Sequence, residues 1–280
     1  MNSIKLAIDL GGTNIRIARV ENGQCTDYQS VPCPANEEAS VVVDHLSQLI
    51  EGLIDERVKG IGIGVPSIVD AQAGIVYDVA NIASWKEVPL KAILEEKFQV
   101  PVAVENDCNC FALGECMFGA GRDCSNMIGV TIGTGIGAGI IIDRQLYGGL
   151  YHGAGEIGTL PYLDADFEHY CSSFFFKRKG IDAAEYAQKA LQGDREALAI
   201  WEEFGRHLGE LIKVIIFTYA PQLIVFGGGI SSAFPLFQKG IEIALRSFPY
   251  PRILNHTKIV PSALKNANLL GASSLLQDIG

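Results

Sequence analysis

Two segments of the chain have one pattern: an apolar strand, a glycine turn that contains threonine, and a second apolar strand. The first segment is IDLGGTNIRIA (8–18) and the second is VTIGTGIGAGI (130–140). A pattern repeated about one domain apart is typical of a duplicated α/β unit. The sequence therefore predicts two lobes with a cleft between them, each containing one of these hairpins.

Segments with helical and strand patterns surround the hairpins, so the predicted fold class is α/β. Apolar spacing predicts helices over 40–54 and 182–219, and 58–65 is typical of a buried strand. The stretch 214–238 has no charged residue and is long enough to span a bilayer. Because proline and glycine interrupt it, we predict a helix, a turn, a strand and a glycine loop there, and no membrane span.

Charge and cysteine content indicate a protein that handles small molecules. The 280 residues carry 22 Lys and Arg against 32 Asp and Glu, a net charge of −10, which argues against nucleic-acid binding. Seven scattered cysteines do not form a disulfide framework in a chain of this size, and the N-terminus lacks a signal-peptide pattern. We expect a cytoplasmic protein.

The glycine turns resemble nucleotide-binding motifs only in part. Gly133, Gly135 and Ala138 match the letters of the dinucleotide fingerprint, but an apolar strand follows them where that motif needs a helix. The backbone N–H groups of both turns, with the hydroxyls of Thr13 and Thr134, could instead contact phosphate groups. Ordinary hairpins with glycines chosen for turn geometry are the alternative interpretation.

Two further features suit a nucleotide and its metal ion. Asp9 ends an apolar strand directly before the first turn, where a carboxylate could hold the water shell of Mg²⁺; capping of the turn is the alternative. The glycines of 227–229 follow a predicted strand, and backbone there could lie close to a flat ligand such as adenine.

Polar residues in two places could bind or activate a hydroxyl-bearing substrate. Asn106 and Asp107 follow a strand and open a helix, so Asp107 could accept the proton of an attacking hydroxyl, or the two could cap the helix. Glu156 and Glu168 lie in a glycine-bounded loop, where they could accept hydrogen bonds from sugar hydroxyls or form a solvated acidic loop.

Taken in order, the motifs resemble the ROK family of sugar kinases and repressors nearly end to end. The motifs are DLGGT, GVPS, NIASW, END, the Gly-Thr-Gly turn, GAGEIG and FGGGIS. The resemblance implies a two-lobed actin-like ATPase fold, ribonuclease H-like, and a homodimer. Residues 1–112 with 266–280 would form a lobe that binds sugar and phosphate, and residues 113–265 an ATP-binding lobe.

The resemblance also implies an activity: phosphorylation by ATP and Mg²⁺ of the 6-hydroxyl of a glucose- or fructose-like hexose or N-acetylhexosamine, with Asp107 as base. It assigns sugar binding to Gly64, Ser67, Asn81, Asn106, Glu156, Thr159 and Glu168. It assigns ATP binding to Asp9, Gly11, Gly12, Thr13, Thr134, Gly135, Gly227, Gly228 and Gly229, with Asp9 also as the metal ligand.

The alternative function is a sugar-sensing regulatory protein of the same family. We expect the kinase, because the chain starts in its first predicted strand, which leaves no room for a helix-turn-helix, and because its net charge is acidic.

The chain departs from the family pattern at three places. Ser67 stands where the family has glycine, and Thr159 stands where it has a sugar-binding histidine. The cysteine run that binds zinc in the family is missing, with only Cys171 nearby, so we predict no structural zinc. The spacing of Cys108, Cys110, Cys116 and Cys124 fits no zinc pattern and indicates buried thiols. His152, Thr159 and His169 stay open as replacements for the missing histidine.

Overall fold

The computed structural model describes residues 4–79 and 81–276. Strands β1 to β15 are Ile4–Leu10, Asn14–Glu21, Gln24–Pro32, Val58–Val65, Ile68–Asp70, Ile75–Tyr77, Glu87–Val88, Val102–Asn106, Met127–Ile132, Ile136–Ile142, Gln145–Leu146, Pro161–Tyr162, Ala165–Asp166, Leu223–Gly227 and Lys258–Pro261. Helices α1 to α10 are Ala39–Glu51, Leu90–Phe98, Asp107–Phe118, Phe167–Cys171, Ser173–Arg178, Ala183–Leu191, Arg195–Tyr219, Phe234–Leu245, Pro251–Leu254 and Ala267–Ser274. Short 3₁₀ turns lie at Leu150–His152, Ile157–Thr159 and Gly229–Ala233.

The first hairpin belongs to a five-stranded sheet with the order β3-β2-β1-β4-β8. β1 pairs antiparallel with β2 and parallel with β4, which in turn pairs parallel with β8. β1 and β4 are apolar and almost entirely buried, as expected for strands covered on both faces. β3 is largely exposed and correspondingly polar.

The second hairpin belongs to another five-stranded sheet, with the order β11-β10-β9-β14-β15. β14 pairs parallel with both β9 and β15, and β10 pairs antiparallel with β11. Strand for strand, this order repeats that of the first sheet. The predicted duplication of an α/β unit is therefore confirmed.

The internal contacts divide the chain into two compact units. The first unit comprises Met1–Asp123, Gly139–Ala154 and Ala263–Gly280, and the second comprises Cys124–Ala138 and Gly155–Ser262. The predicted lobe boundaries stay a prediction, and their ranges include residues 1–3, 80 and 277–280, which lie outside the described part of the chain.

Each unit contains one pair of helices in backbone-to-backbone contact. A Cβ atom at Gly114 in α3 or at Gly271 in α10 would overlap a carbonyl oxygen of the opposite helix. The same is true of Gly205 in α7 and Gly240 in α8. Glycine at these positions lets the two helices of each pair approach so closely that no side chain fits between them.

The predicted helix, turn, strand and glycine loop over 214–238 are confirmed by the end of α7, by β14 and by the start of α8. None of the helices described is both long and apolar enough to cross a membrane. The small sheet of β5, β6 and β7 was not predicted, because two- and three-residue strands are too short for a periodic signal.

Candidate functional site

The first glycine turn joins β1 to β2 and carries at its base an ion pair between a buried carboxylate and a half-exposed guanidinium group. Asp9 is paired across the hairpin with Arg16, whose Nη1 donates to Asp9 Oδ2 at 2.9 Å. Burial raises the pKa of Asp9, and the Arg16 charge opposes that shift. Gly12 lies against Asn81, because a Cβ at position 12 would overlap the Asn81 side chain.

Three site residues lie side by side at the carboxyl ends of β1, β4 and β8. Asp9 and Gly64 were predicted site residues, and Glu105 is added by the structure. Asp9 is the register partner of Gly64, and Gly64 is the register partner of Glu105. Because these strands are parallel, their ends meet at one edge of the sheet, where ligands collect in α/β proteins. A Cβ at Gly64 would lie 3.2 Å from the Cys110 sulfur and 3.5 Å from the Cα of Asp107, so glycine allows α3 to start close to β4.

Asn106 and Asp107 form the junction between β8 and α3. The Asn106 Oδ1 atom accepts from the N–H groups of Cys108 and Asn109, so Asn106 caps the helix. Its Nδ2 donates to the Ser67 carbonyl at 3.2 Å. Asp107 is the first residue of α3, where the helix dipole favours negative charge. Helix capping is thus observed, and a sugar-binding role for Asn106 stays a prediction.

Ser67 connects the start of α3 to the small sheet of β5, β6 and β7 through hydrogen bonds. The Ser67 hydroxyl donates to the carbonyl of Tyr77. The Tyr77 ring makes an edge-to-face contact with Tyr151, with centroids 6.2 Å apart. Together with the Asn106 contact, these bonds hold the GVPS loop beside the start of α3.

Glu105 belongs to the END motif, but the sequence assigned it no role of its own. It is buried, and its Oε1 accepts from the Asn106 N–H at 2.8 Å and from Asn109 Nδ2 at 3.0 Å. Its Oε2 lies 2.5 Å from Nδ1 of His152. This hydrogen bond raises the pKa of His152, against a smaller opposing effect of burial.

The other two glycine clusters are neighbours in the second unit. Thr131, two residues before Gly133, is the register partner of Gly227, so both clusters follow adjacent parallel strands. Gly228 has φ of 84° and is packed on the Ile132 backbone. No heavy atom lies within 4 Å of a Cβ built at Gly133 or at Gly229, so a ligand can approach the backbone closely there.

Glu156 and Glu168 also lie in the second unit. Partial desolvation of the Glu156 carboxyl and the negative charge of Glu168 raise the pKa of Glu156. Glu168 Oε2 accepts from the N–H of Ile136 at 3.2 Å. Ile136 directly follows Gly135, which was predicted to bind ATP, so the Glu168 carboxylate lies beside the second glycine turn.

The two remaining candidates for the missing histidine make local contacts. The Thr159 hydroxyl donates to the Glu156 carbonyl at 2.9 Å. His169 Nδ1 lies 2.7 Å from Asp166 Oδ1, the carboxylate that caps α4.

The cysteines are all free thiols. Burial raises the pKa of Cys110 and of Cys171 well above the usual thiol range. Within the described residues, no group of three or more His, Cys, Asp and Glu side chains is arranged to hold a metal ion. Asp9 is a single carboxylate with one oxygen bound to Arg16, which suits only a contact made through metal-bound water.

Similarity to solved structures defines the class of fold. The chain superposes on a glucokinase from Streptomyces griseus, solved in complex with glucose and AMPPNP, with a TM-score of 0.83 and 28% identity. The match covers 98% of this chain and 99% of that one. The duplicated α/β units therefore have the two-lobed, actin-like kinase fold, as predicted.

Residues 5–279 match the profile of the ROK family, and the chain belongs to that family. A glucokinase of Halalkalibacterium halodurans is 27% identical over 97% of this chain and 94% of its own length. A xylose repressor of Bacillus spizizenii is 34% identical over 78% of this chain and 60% of its own length. The relatives thus include enzymes and regulators.

Proposed function

We propose that the protein transfers the γ-phosphoryl group of ATP to a hydroxyl group of a hexose, the 6-hydroxyl of a glucose- or fructose-like sugar or an N-acetylhexosamine. One observation carries the proposal: Asp107 opens α3 directly beside the strand ends that hold Asp9, Gly64 and Glu105. Similarity over nearly the whole chain to a glucokinase solved with glucose and an ATP analogue supports it.

Asp107 acts as the base in this proposal. Its carboxylate accepts the proton of the sugar hydroxyl as the hydroxyl oxygen forms a bond to the γ-phosphorus, and the bond from that phosphorus to the ADP oxygen breaks. Phosphoryl transfer needs positioning and charge stabilisation more than covalent chemistry by the protein. A carboxylate fixed at the start of a helix meets the positioning requirement.

The remaining predicted residues bind the two substrates. Backbone at Gly133 and Gly229 is open to the nucleotide, and the first turn offers the N–H groups of Gly12 and Thr13 to phosphate. Mg²⁺, held by Asp9 through water, would neutralise phosphate charge. We propose that Asn106, Glu156 and Glu168 bind sugar hydroxyls, along with Gly64, Ser67, Asn81 and Thr159.

A sugar-sensing regulator is the second candidate, because a xylose repressor is among the relatives. Such a protein binds a sugar without phosphorylating it. The two functions therefore differ in ADP release, not in sugar binding.

The test is ADP release from Mg-ATP with each of about a dozen hexoses, at rates judged against the ~1–100 s⁻¹ of kinases. We expect turnover with at least one hexose and a loss of about 10²- to 10⁴-fold in Asp107→Asn, which keeps the shape of the side chain and removes the base. Asp44→Asn, on the exposed face of α1, is the matched control. Sugar-induced stabilisation without turnover would favour the regulator.

A further inference from the structure

The segment that carries His152 is held in an unusual backbone conformation. Gly149, Tyr151 and His152 have φ of 66°, 49° and 50°. Left-handed backbone at a residue other than glycine is strained and persists only where surrounding structure holds it, often at functional sites. Here the Tyr77 ring packs on Tyr151, and Glu105 binds His152.

The imidazole ring of His152 is fixed from two sides. Nδ1 lies 2.5 Å from Glu105 Oε2. On another side, a Cβ built at Gly148 would lie 2.6 Å from Nδ1 and 2.7 Å from Cγ, so only glycine at 148 leaves room for the ring. The ring therefore has one position, set by residues from two separate parts of the first unit.

The contacts of Glu105 determine what each ring nitrogen of His152 does. Its Oε1 accepts from two donors, and its Oε2 accepts from Nδ1, so the Nδ1 atom carries a proton. In the neutral ring Nε2 is then an acceptor, and in the cation it is a donor. Among the residues described, none is a hydrogen-bond partner of Nε2, and 32% of the side chain is exposed. Because Nδ1 faces the buried carboxylate, Nε2 is on the outer edge of the ring.

We propose that His152 is a specificity-determining residue whose Nε2 binds one hydroxyl group of the acceptor sugar, with Glu105 fixing the tautomer and orientation of the ring. The inference rests on the proposed function. Glu105 immediately precedes Asn106 and Asp107, so one strand end anchors both the imidazole and the base. A carboxylate that holds one imidazole nitrogen so that the other can act is a recurring device in binding sites.

A purely structural role explains these contacts less well. A buried carboxylate needs a donor, but a donor alone requires neither a partly exposed ring nor left-handed backbone at two successive residues. A metal site is not supported either: within residues 4–79 and 81–276, Glu105 is the only carboxylate hydrogen-bonded to this ring, and Nδ1 already occupies its Oε2.

The test combines two substitutions and a control variant with a set of sugars. His152→Asn keeps a donor near Nδ1 for Glu105, tolerates left-handed backbone and removes Nε2. Gly148→Ala leaves His152 in place but pushes its ring out of position. His256→Asn, at an exposed histidine bound to the Arg252 carbonyl, is the control. For each variant, kcat/KM and the calorimetric Kd are measured with the preferred hexose and with each of its monodeoxy analogues.

We expect both His152→Asn and Gly148→Ala to lower kcat/KM for the preferred hexose about 10- to 100-fold, with circular dichroism unchanged. With one monodeoxy analogue, and only one, wild type and variant should agree within about twofold, because the hydroxyl that Nε2 binds is missing. Equal losses for every analogue, or no loss in either variant, would overturn the inference while leaving the kinase proposal intact.

The same measurements separate failure of the inference from failure of the proposed function. If the wild type binds a hexose without phosphorylating it, the Kd values alone decide the role of His152 by the same comparison. If the wild type neither binds nor phosphorylates any hexose, the proposed function fails and the inference fails with it.

Discussion

The two five-stranded sheets share a strand order but differ in the residues that end their central strands. In the first sheet, Asp9 and Glu105 flank Gly64 on neighbouring strands. In the second sheet, Thr131 lies beside Gly227, which occupies the place of Gly64. One copy of the duplicated sheet thus ends in carboxylates, and the other ends in a hydroxyl and open glycine backbone.

The same sheet topology can therefore present different chemistry at its strand ends. A carboxylate there can hold the water shell of Mg²⁺, as proposed for Asp9, or bind a neighbouring side chain, as Glu105 binds His152. A sugar is neutral and its hydroxyls donate hydrogen bonds, which carboxylates accept well. Chemistry at strand ends can diverge while the hydrogen-bonded sheet, and therefore the fold, stays the same.

The largest expected effect comes from damaging one unit at a time through its close helix pair. Gly114→Ala in the first unit and Gly240→Ala in the second each place a Cβ on a backbone carbonyl oxygen. We expect each to lower the free energy of unfolding by about 3 kcal/mol, because neither helix backbone can yield cheaply. Chemical denaturation followed by fluorescence measures the loss.

Gly52→Ala is the control for these two variants. A Cβ at position 52 meets its nearest neighbour at 3.5 Å, which is ordinary van der Waals contact. A loss in Gly114→Ala or Gly240→Ala no greater than in Gly52→Ala would contradict the backbone-to-backbone packing.

A second prediction transfers the charge of the first sheet to the second. Thr131→Asp places a carboxylate at the position equivalent to Asp9, beside Gly227. We expect the KM for ATP to rise about 10-fold through repulsion of phosphate, with little change in the KM for the sugar. Steady-state kinetics with each substrate varied in turn measures both.

Thr131→Asn is the matched variant, since asparagine has nearly the shape of aspartate without its charge. If both variants raise the KM for ATP equally, shape and not charge decides, and the electrostatic contrast between the sheets is wrong. If Thr131→Asp raises the KM for the sugar instead, Thr131 lies beside the bound sugar and not beside the nucleotide.

The smallest predicted effect concerns Glu156, an exposed residue whose carboxyl is partly desolvated by the protein around it. This desolvation and the negative charge of Glu168 raise its pKa in the folded protein above the ordinary 4.5. A raised carboxyl pKa costs stability at pH values above both the unfolded and folded pKa, and nothing below them. Glu156→Gln should therefore raise the Tm at about pH 7.5, and the gain should disappear near about pH 4. Scanning calorimetry at both pH values measures it, and Glu56→Gln, at an exposed carboxylate of the first unit, is the control. A pH-independent gain would contradict the electrostatic cause.

Long elements with a strong pattern could be predicted from the sequence. Both hairpins, β4, α3 and the helices of 182–219 lie where their apolar patterns place them, because burial against a core imposes those patterns. The identical strand orders follow from the repeated turn. The short strands β5 to β7 carry too few residues for a pattern, so they became visible only in the structure.

The site residues also divide into those that a local pattern marks in the sequence and those that only the structure brings together. Those next to a glycine turn or a strand end could be found because the turn itself marks the position. Arg16 was missed although a local signal exists: it and Asp9 are placed symmetrically about the first turn, so antiparallel pairing brings them together. The contact between Glu105 and His152 has no local signal, since 47 residues separate them and only tertiary packing joins them.

Incubation of the protein with Mg-ATP and a mixture of hexoses, followed by mass spectrometry of the sugars, tests whether the protein is a hexose kinase. We expect a hexose carrying one added phosphoryl group, formed by the wild type and lost in Asp107→Asn. ATP consumed without any sugar phosphate, or sugar phosphate formed equally by Asp107→Asn, would contradict it.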